Sequence, residues 1–263
     1  MKEKLPLLKA YGTVLKTATT ELYQSMGYML LVSLIWFVAT LPMTVIIFCF
    51  TVFAAQSLLK ADQEAMTAVL PLFNTTMLIV AVWNTLVAGP ATTALYGMHQ
   101  VRKESYLEKK TFFEQFKKFY WSSFKVYGAF SFGLVLLILN FIITLIETSF
   151  LMKIVGLITF YLIVLVFLMS FYLSPLIYYK HKFTDVFRKA FLVMMDNFGL
   201  TLAVNLTIAL IYVLSVPSVI LLLFLYGAFY LWMTDSAFDL ISERYETVDA
   251  EDGEEIEIQD SID

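Results

Sequence analysis

Charge is scarce in this sequence. Of 263 residues, 15% are Asp, Glu, Lys or Arg and 60% are hydrophobic, whereas soluble domains carry about 25% charged residues. With a mean hydropathy of +0.77, a water-soluble body would lack the polar groups to cover its own surface. Lipid is the solvent that suits this composition. Cysteine is nearly absent: Cys49, inside an apolar run, is the only one, which excludes an internal disulfide and a thiolate metal cluster. Histidine is limited to His99 and His181, too few ligands for a metal without carboxylates beside them. No metal and no cofactor is expected. Nucleotide-binding loops, zinc-protease helix motifs and nucleophile elbows are missing as well, so the chain is not expected to be an enzyme.

The charge that is present is unevenly placed. The formal net charge of −4 comes from the end of the chain, where residues 243–263 hold ten acids and one arginine. This acidic segment, free of aromatics from 246 onward, is expected to be a disordered cytoplasmic tail. The remaining body is mildly basic, but its Lys and Arg residues flank apolar spans and form no stripe of the kind that binds nucleic acid. A basic N-terminus ahead of an apolar stretch suggests a signal peptide. That stretch runs from about residue 26 to 55, well beyond the ~7–15 residues of an h-region, and an uncleaved first helix is the expectation.

Charged residues divide the rest. Residues 22–59, 65–101, 126–146, 154–179 and 197–234 carry none. About 20 helical residues cross a hydrocarbon core of ~30 Å, so 126–146 and 154–179 each fit one crossing. Fourteen residues of 126–146 are Leu, Ile, Val or Phe, which at ~0.3–0.6 kcal/mol each favours insertion by roughly 4–8 kcal/mol before polar residues subtract. The run from 197 is too long for one span and breaks at Ser215-Val-Pro-Ser218. The run 22–59 contains Pro42 near its middle and is kept whole. Cytoplasmic loops are enriched in Lys and Arg. Six spans near 26–55, 71–98, 126–146, 154–179, 198–214 and 218–241, with both termini inside, place sixteen of the eighteen basic residues in the cytoplasm and leave Lys60 and Lys153 outside. Splitting at Pro42 would put the seven-residue basic cluster on the wrong side, so Pro42 is expected to kink one long helix. Glu147 and Lys153 flank a short external loop and can pair there.

The expected class is therefore an all-α polytopic membrane protein of the bacterial cytoplasmic membrane, built from three units. Each unit is a basic amphipathic segment followed by two spans. In the first segment, within residues 1–24, Leu8, Tyr11, Leu15, Ala18 and Leu22 share a helical face. In the second, Phe112, Phe116 and Phe119 do so beside Lys117 and Lys118. In the third, Phe183, Phe187, Ala190 and Met194 do so beside Arg188 and Lys189. Basic amphipathic helices of this kind lie in the headgroup zone, and the same residues suit lipid or a docked cytoplasmic partner.

One motif stands out. In Gly89-Pro-Ala-Thr-Thr-Ala-Leu-Tyr-Gly97, Gly89, Thr93 and Gly97 recur every fourth residue and form a small-residue stripe. Such stripes let helix backbones approach in lipid, within the chain or against a partner; exposed backbone at Gly89-Pro90 is the alternative. This motif, followed by a basic turn and Phe113-x-x-Phe116-Lys-Lys, resembles the YesL-like family of bacterial integral membrane proteins. Leu41-Pro42 resembles it too. Genes of that family commonly accompany carbohydrate uptake and degradation genes. The resemblance thus implies an accessory role beside the permease subunits of an ABC-type sugar importer and supplies no catalytic residue.

Polar residues within the spans supply competing readings. Asn84, Asn140, Asn205 and Asp235 could line the path of a small transporter, or simply hydrogen-bond between helices. The three basic segments suit a lipid-binding or membrane-organising protein. His99 and His181 fall at cytoplasmic span ends, in Tyr96-x-x-His99 and Tyr178-x-x-His181.

Overall fold

The computed structural model describes residues 6–60, 63–104, 111–146, 149–215, 218 and 221–260, with side chains described except at 58–60, 63–68, 104, 146, 222 and 244–260. Among these the chain is all-α. The helices are α1 (Leu7–Gln24), α2 (Met26–Lys60), α3 (Gln63–Trp83), α4 (Gly89–Glu104), α5 (Thr111–Ile146), α6 (Phe150–Met169), α7 (Leu173–Tyr178), α8 (Phe183–Asp196), α9 (Phe198–Ser215) and α10 (Gly227–Asp260). Five stretches are long and apolar enough to cross a membrane: Met26–Ser57, Val69–Lys103, Thr111–Leu145, Phe150–Tyr178 and Phe198–Ser215. Large apolar side chains such as Leu136, Phe160 and Leu210 lie exposed on them, as lipid-facing residues do.

Pro42 lies inside α2, which continues through it. A proline deprives the carbonyl four residues back of its helical donor and crowds it. One residue beyond that carbonyl, the Trp83 indole N–H donates to Ala39 O at 2.8 Å, a neighbouring helix supplying hydrogen bonding where lipid offers none. The same rule explains two irregular turns. Asn84–Ala88 is a π-turn, with Gly89 N–H donating to Asn84 O, and it contains Leu86, four residues before Pro90. Ser170–Tyr172 is a 3₁₀ turn and contains Phe171, four residues before Pro175. In each case the turn that would meet the proline ring is rewound.

The amphipathic segments differ from expectation in detail. The buried stripe of α1 is Ala10, Val14, Ala18 and Leu22, whereas Leu8 is 85% exposed. In α8 it is Val186, Ala190 and Met194, with Phe183 exposed and Phe187 half-buried. In the second segment it is Thr111, Gln115, Phe119 and Ser123, with Phe112 and Phe116 half-buried. The large aromatics were expected to meet lipid or a docked partner, and Phe113 and Phe183 lie at the surface; small and medium residues fill most of the inner faces, where other helices abut, with Phe119 the buried exception. The second segment is moreover continuous with its span: α5, at 1.5 Å per residue, is ~54 Å long, far more than one crossing needs. Lys153, expected to flank a short external loop, sits in the first turn of α6. Glu147, and with it the expected Glu147–Lys153 pair, lies outside the described residues. So does most of the turn at 215–220, where α9 ends at Ser215 as the sequence suggests. Of α10 beyond Glu243 no side chain is described, and the expected disorder of the acidic tail falls there.

The chain divides into two compact units, residues 1–33 with 191–263, and residues 34–190. In the first, α1 packs on α9 and α10. Tyr11 Oη bonds Thr207 Oγ1 at 2.8 Å; the rings of Tyr28 and Trp232 meet edge to face at 5.6 Å. A π-turn at Leu222–Tyr226 leads into α10, and beyond it Ala228 N–H donates to the buried Ser33 Oγ at 2.9 Å. In the second unit α5 is central, packing on α3, α4, α6 and α7. Gly156 of α6 lies so close to α5 that a Cβ would sit 2.6 Å from Thr144 Oγ1.

The second unit's α7 ends in a Schellman motif. His181 N–H donates to Leu176 O at 3.4 Å and Lys180 N–H to Ile177 O at 3.0 Å. Lys180 adopts φ 58°, a left-handed conformation that costs an L-residue roughly 1–2 kcal/mol and glycine little. Lys180→Gly is therefore expected to leave thermal stability in detergent unchanged or slightly raised. Lys180→Val, β-branched at the same φ, is expected to lose about 1–2 kcal/mol. Equal melting temperatures for the two variants would show that the motif does not hold this corner.

Candidate functional site

The small-residue stripe is where the second unit is tightest. Gly89, Thr93 and Gly97 are all buried. A Cβ on Gly89 would lie 2.6 Å from Tyr127 Cδ2 and 2.8 Å from Tyr127 Cβ; the ring of Tyr127 rests on bare backbone. A Cβ on Gly97 would meet Gln115 Oε1 at 3.0 Å, Phe119 at 3.3 Å and Tyr178 at 3.4 Å. The Tyr178 ring in turn lies 5.7 Å from Tyr96 and 5.5 Å from Phe119. Pro90 is buried in the same helix. The stripe thus faces α5 and α7 of its own unit.

Behind the stripe runs a chain of hydroxyls. Tyr127 Oη and Ser174 Oγ are 2.7 Å apart, Ser174 Oγ and Thr93 Oγ1 3.5 Å, and Thr93 Oγ1 donates to Gly89 O at 3.3 Å. Each hydroxyl has one proton, so the direction is set: Tyr127 donates to Ser174, Ser174 to Thr93, Thr93 to the carbonyl. The phenol, which would be costly to bury without a partner, is held by residues of α4 and α7 at once.

Asn84, within the π-turn, donates to Ser131 Oγ of α5 at 2.8 Å. Asn140 is exposed on α5, at the rim of an open hollow lined also by Ala129, Gly133, Leu137, Met169 and Phe187. The two amides belong to the same unit but to different surroundings. In the other unit Asn205 donates to Thr201 O of its own helix at 2.9 Å. There Asp235 is fully buried, and a carboxylate oxygen of Glu21, on α1, lies within 4.8 Å of one of Asp235.

The basic residues are outermost. Lys117, Lys118, Arg188 and Lys189 are exposed. Phe112 contacts Phe116 at 5.9 Å between centroids, Lys118 Nζ stands 4.9 Å from the Phe119 ring, and Phe187 pairs with Phe183 at 5.4 Å. His99 is buried on α4. His181, half-exposed beyond α7, has its Nδ1 3.3 Å from Lys189 Nζ. Burial and the Lys189 ammonium hold its basicity below the usual 6.5 against the opposing pull of Asp185, so it is neutral at pH 7 and can accept from Lys189.

Sequence reasoning missed Tyr127, Ser131 and Ser174, the partners of residues it singled out, and also Glu21. It missed Gln115 and Ser123, whose Oε1 and Oγ are buried without a hydrogen-bond partner among the described residues. The signal for these two was present: Thr111, Gln115, Phe119, Ser123 and Tyr127 recur every fourth residue. No protein-family model, curated protein or solved structure matches the chain.

The contact of Gly89 with Tyr127 is directly testable. Gly89→Ala drives a methyl into the ring, and overpacking of this kind costs about 1–3 kcal/mol. Thermal unfolding in detergent should show that loss, and adding Tyr127→Leu to Gly89→Ala should recover part of it. Additive losses in the double variant would mean that the two residues do not meet.

Proposed function

We propose that this chain is a six-span protein of the bacterial cytoplasmic membrane, with both termini inside, built from three repeats of an amphipathic helix and a helical hairpin. The distribution of basic residues supports the orientation. The repeat is supported by three amphipathic helices that each bury residues four apart. It is supported also by three returning segments that each carry a non-α turn, at 84–88, 170–172 and 222–226, followed by buried residues. Single cysteines at 60, 110, 153, 182 and 260 on a Cys49→Ala background would be labelled by an impermeant reagent in intact cells only at 60 and 153. Labelling at 110 or 182 from outside would overturn the topology.

Within that frame we propose a non-enzymatic accessory or assembly role beside a carbohydrate uptake permease of the ABC type. The observation that carries the accessory half is how polarity is used. Trp83, Asn84, Tyr127, Ser174 and Asn205 bond to their own unit's helices, while Lys117, Lys118, Arg188 and Lys189 are exposed beside the exposed rings of Phe113 and Phe183. Such a molecule offers surfaces. The sugar half rests on the resemblance of residues 89–96 and 113–118 to the YesL-like family. A partner would meet the outward basic-aromatic faces, because the Gly89–Gly97 stripe is already covered.

The fully buried Asp235 near the half-buried Glu21 favours a second reading, a small transporter in which an intramembrane carboxylate serves transport. Purification of the tagged protein from its native membrane in mild detergent separates the two. Co-purifying permease subunits, lost when Lys117, Lys118, Arg188 and Lys189 are replaced by Gln, are expected on the accessory reading. A chain that emerges alone or only with itself favours the transporter.

A further inference from the structure

The hollow on the second unit has the shape, length and charge of a lipid site. It is an open groove of about 470 Å³ whose lining, from Ala129 through Gly133 and Leu137 to Val166, Met169 and Phe187, is apolar apart from Asn140. Ala129, Gly133, Leu137 and Asn140 follow one face of α5. From Ala129 to Asn140 the helix rises ~16 Å at 1.5 Å per residue, close to the ~15 Å of one hydrocarbon leaflet. Gly133 leaves the floor open: a Cβ there would meet nothing within 4 Å.

Positive charge gathers at one end only. Lys125 stands one helical turn before Ala129 on the same face of α5, and Arg188 follows the lining residue Phe187 on α8; both cations are exposed, whereas Lys189 is turned to His181, its Nζ 3.3 Å from Nδ1. Asp185, one turn before Lys189, bears on His181. Towards Asn140 the groove walls carry no charge. An apolar channel of leaflet length with cations at its interfacial mouth complements a molecule with an anionic head and a hydrocarbon tail. We infer that this groove holds one acyl chain of an anionic phospholipid, whose phosphate is met by Lys125 and Arg188. This inference asks nothing of a permease; it shares Arg188 with the docking surface proposed above, and Lys125 and Gly133, which that surface does not use, keep the two tests distinguishable.

The test is lipid retention by the full-length protein. Delipidated protein in neutral detergent is exposed to equimolar palmitoyl-oleoyl phosphatidylglycerol and the phosphatidylcholine of the same chains, and native mass spectrometry counts what stays bound. The expected result is one retained phosphatidylglycerol per chain, preferred over phosphatidylcholine by on the order of tenfold or more, given the attraction of two basic residues for an anionic headgroup. Gly133→Leu fills the groove and should abolish retention of both lipids. Gly27→Leu, where an added Cβ also meets nothing within 4 Å, should retain them as the wild type does. Lys125→Gln with Arg188→Gln, both surface changes that leave packing intact, should erase the headgroup preference even if Gly133→Leu fails to fold. Equal retention of the two lipids by the wild type, an unchanged preference in the Lys125/Arg188 variant, or undiminished binding by a folded Gly133→Leu protein would overturn the inference. A dimer that Gly133→Leu converts to monomer would overturn it too, by showing that a second copy fills the groove.

Discussion

The obligation that shapes this molecule is the hydrogen bonding of helix backbone in a solvent that supplies no partners. Prolines at 42, 90 and 175 each remove a backbone donor within a helix. Two are accommodated nearby, by the π-turn at Asn84–Ala88 and by the 3₁₀ turn at Ser170–Tyr172, while beside Pro42 the Trp83 indole bonds the neighbouring carbonyl of Ala39. Much of the polar chemistry inside the spans follows from that obligation. The Asn84 amide reaches from the widened turn to Ser131, and Ser33 receives the N–H of Ala228 beyond the π-turn of the other unit. Polar residues in a membrane protein invite a reading as a substrate path, and here several of them close the backbone instead.

A second consequence concerns size. Where hydrophobicity does not separate inside from outside, the residues that go inside are those that let helices approach. Ala10, Val14 and Ala18 face inward on α1 while Leu8 faces out. Gly89 sits under Tyr127, and Gly156 against Thr144. Phe113 and Phe183 of the amphipathic segments are left at the surface beside lysine and arginine. The same sorting leaves Ala129 and Gly133 on the outer face of α5, where small residues with no helix against them make a groove.

Helical class and membrane residence were legible in the sequence, as were the ends of α9 and the continuity of α2 through Pro42. Composition, the length of uncharged runs and the placement of lysine and arginine are properties of the chain taken in order, and transfer to lipid acts on them segment by segment. The stripe Gly89, Thr93, Gly97 was legible as a packing surface for a related reason: helical spacing alone puts the three on one face. Which residues of the amphipathic helices are covered by other helices was not legible, because periodicity marks which residues share a face but not which neighbour that face meets.

What the tertiary structure decided is which distant residues meet. That Tyr127 covers Gly89, that Ser174 takes the phenol proton, that Trp83 reaches Ala39 and that Glu21 comes to Asp235 depend on helices separated by tens to hundreds of residues coming side by side. No local pattern encodes such a pairing, because the free energy that selects it comes from shape and hydrogen-bond complementarity between surfaces that exist only after the helices have formed.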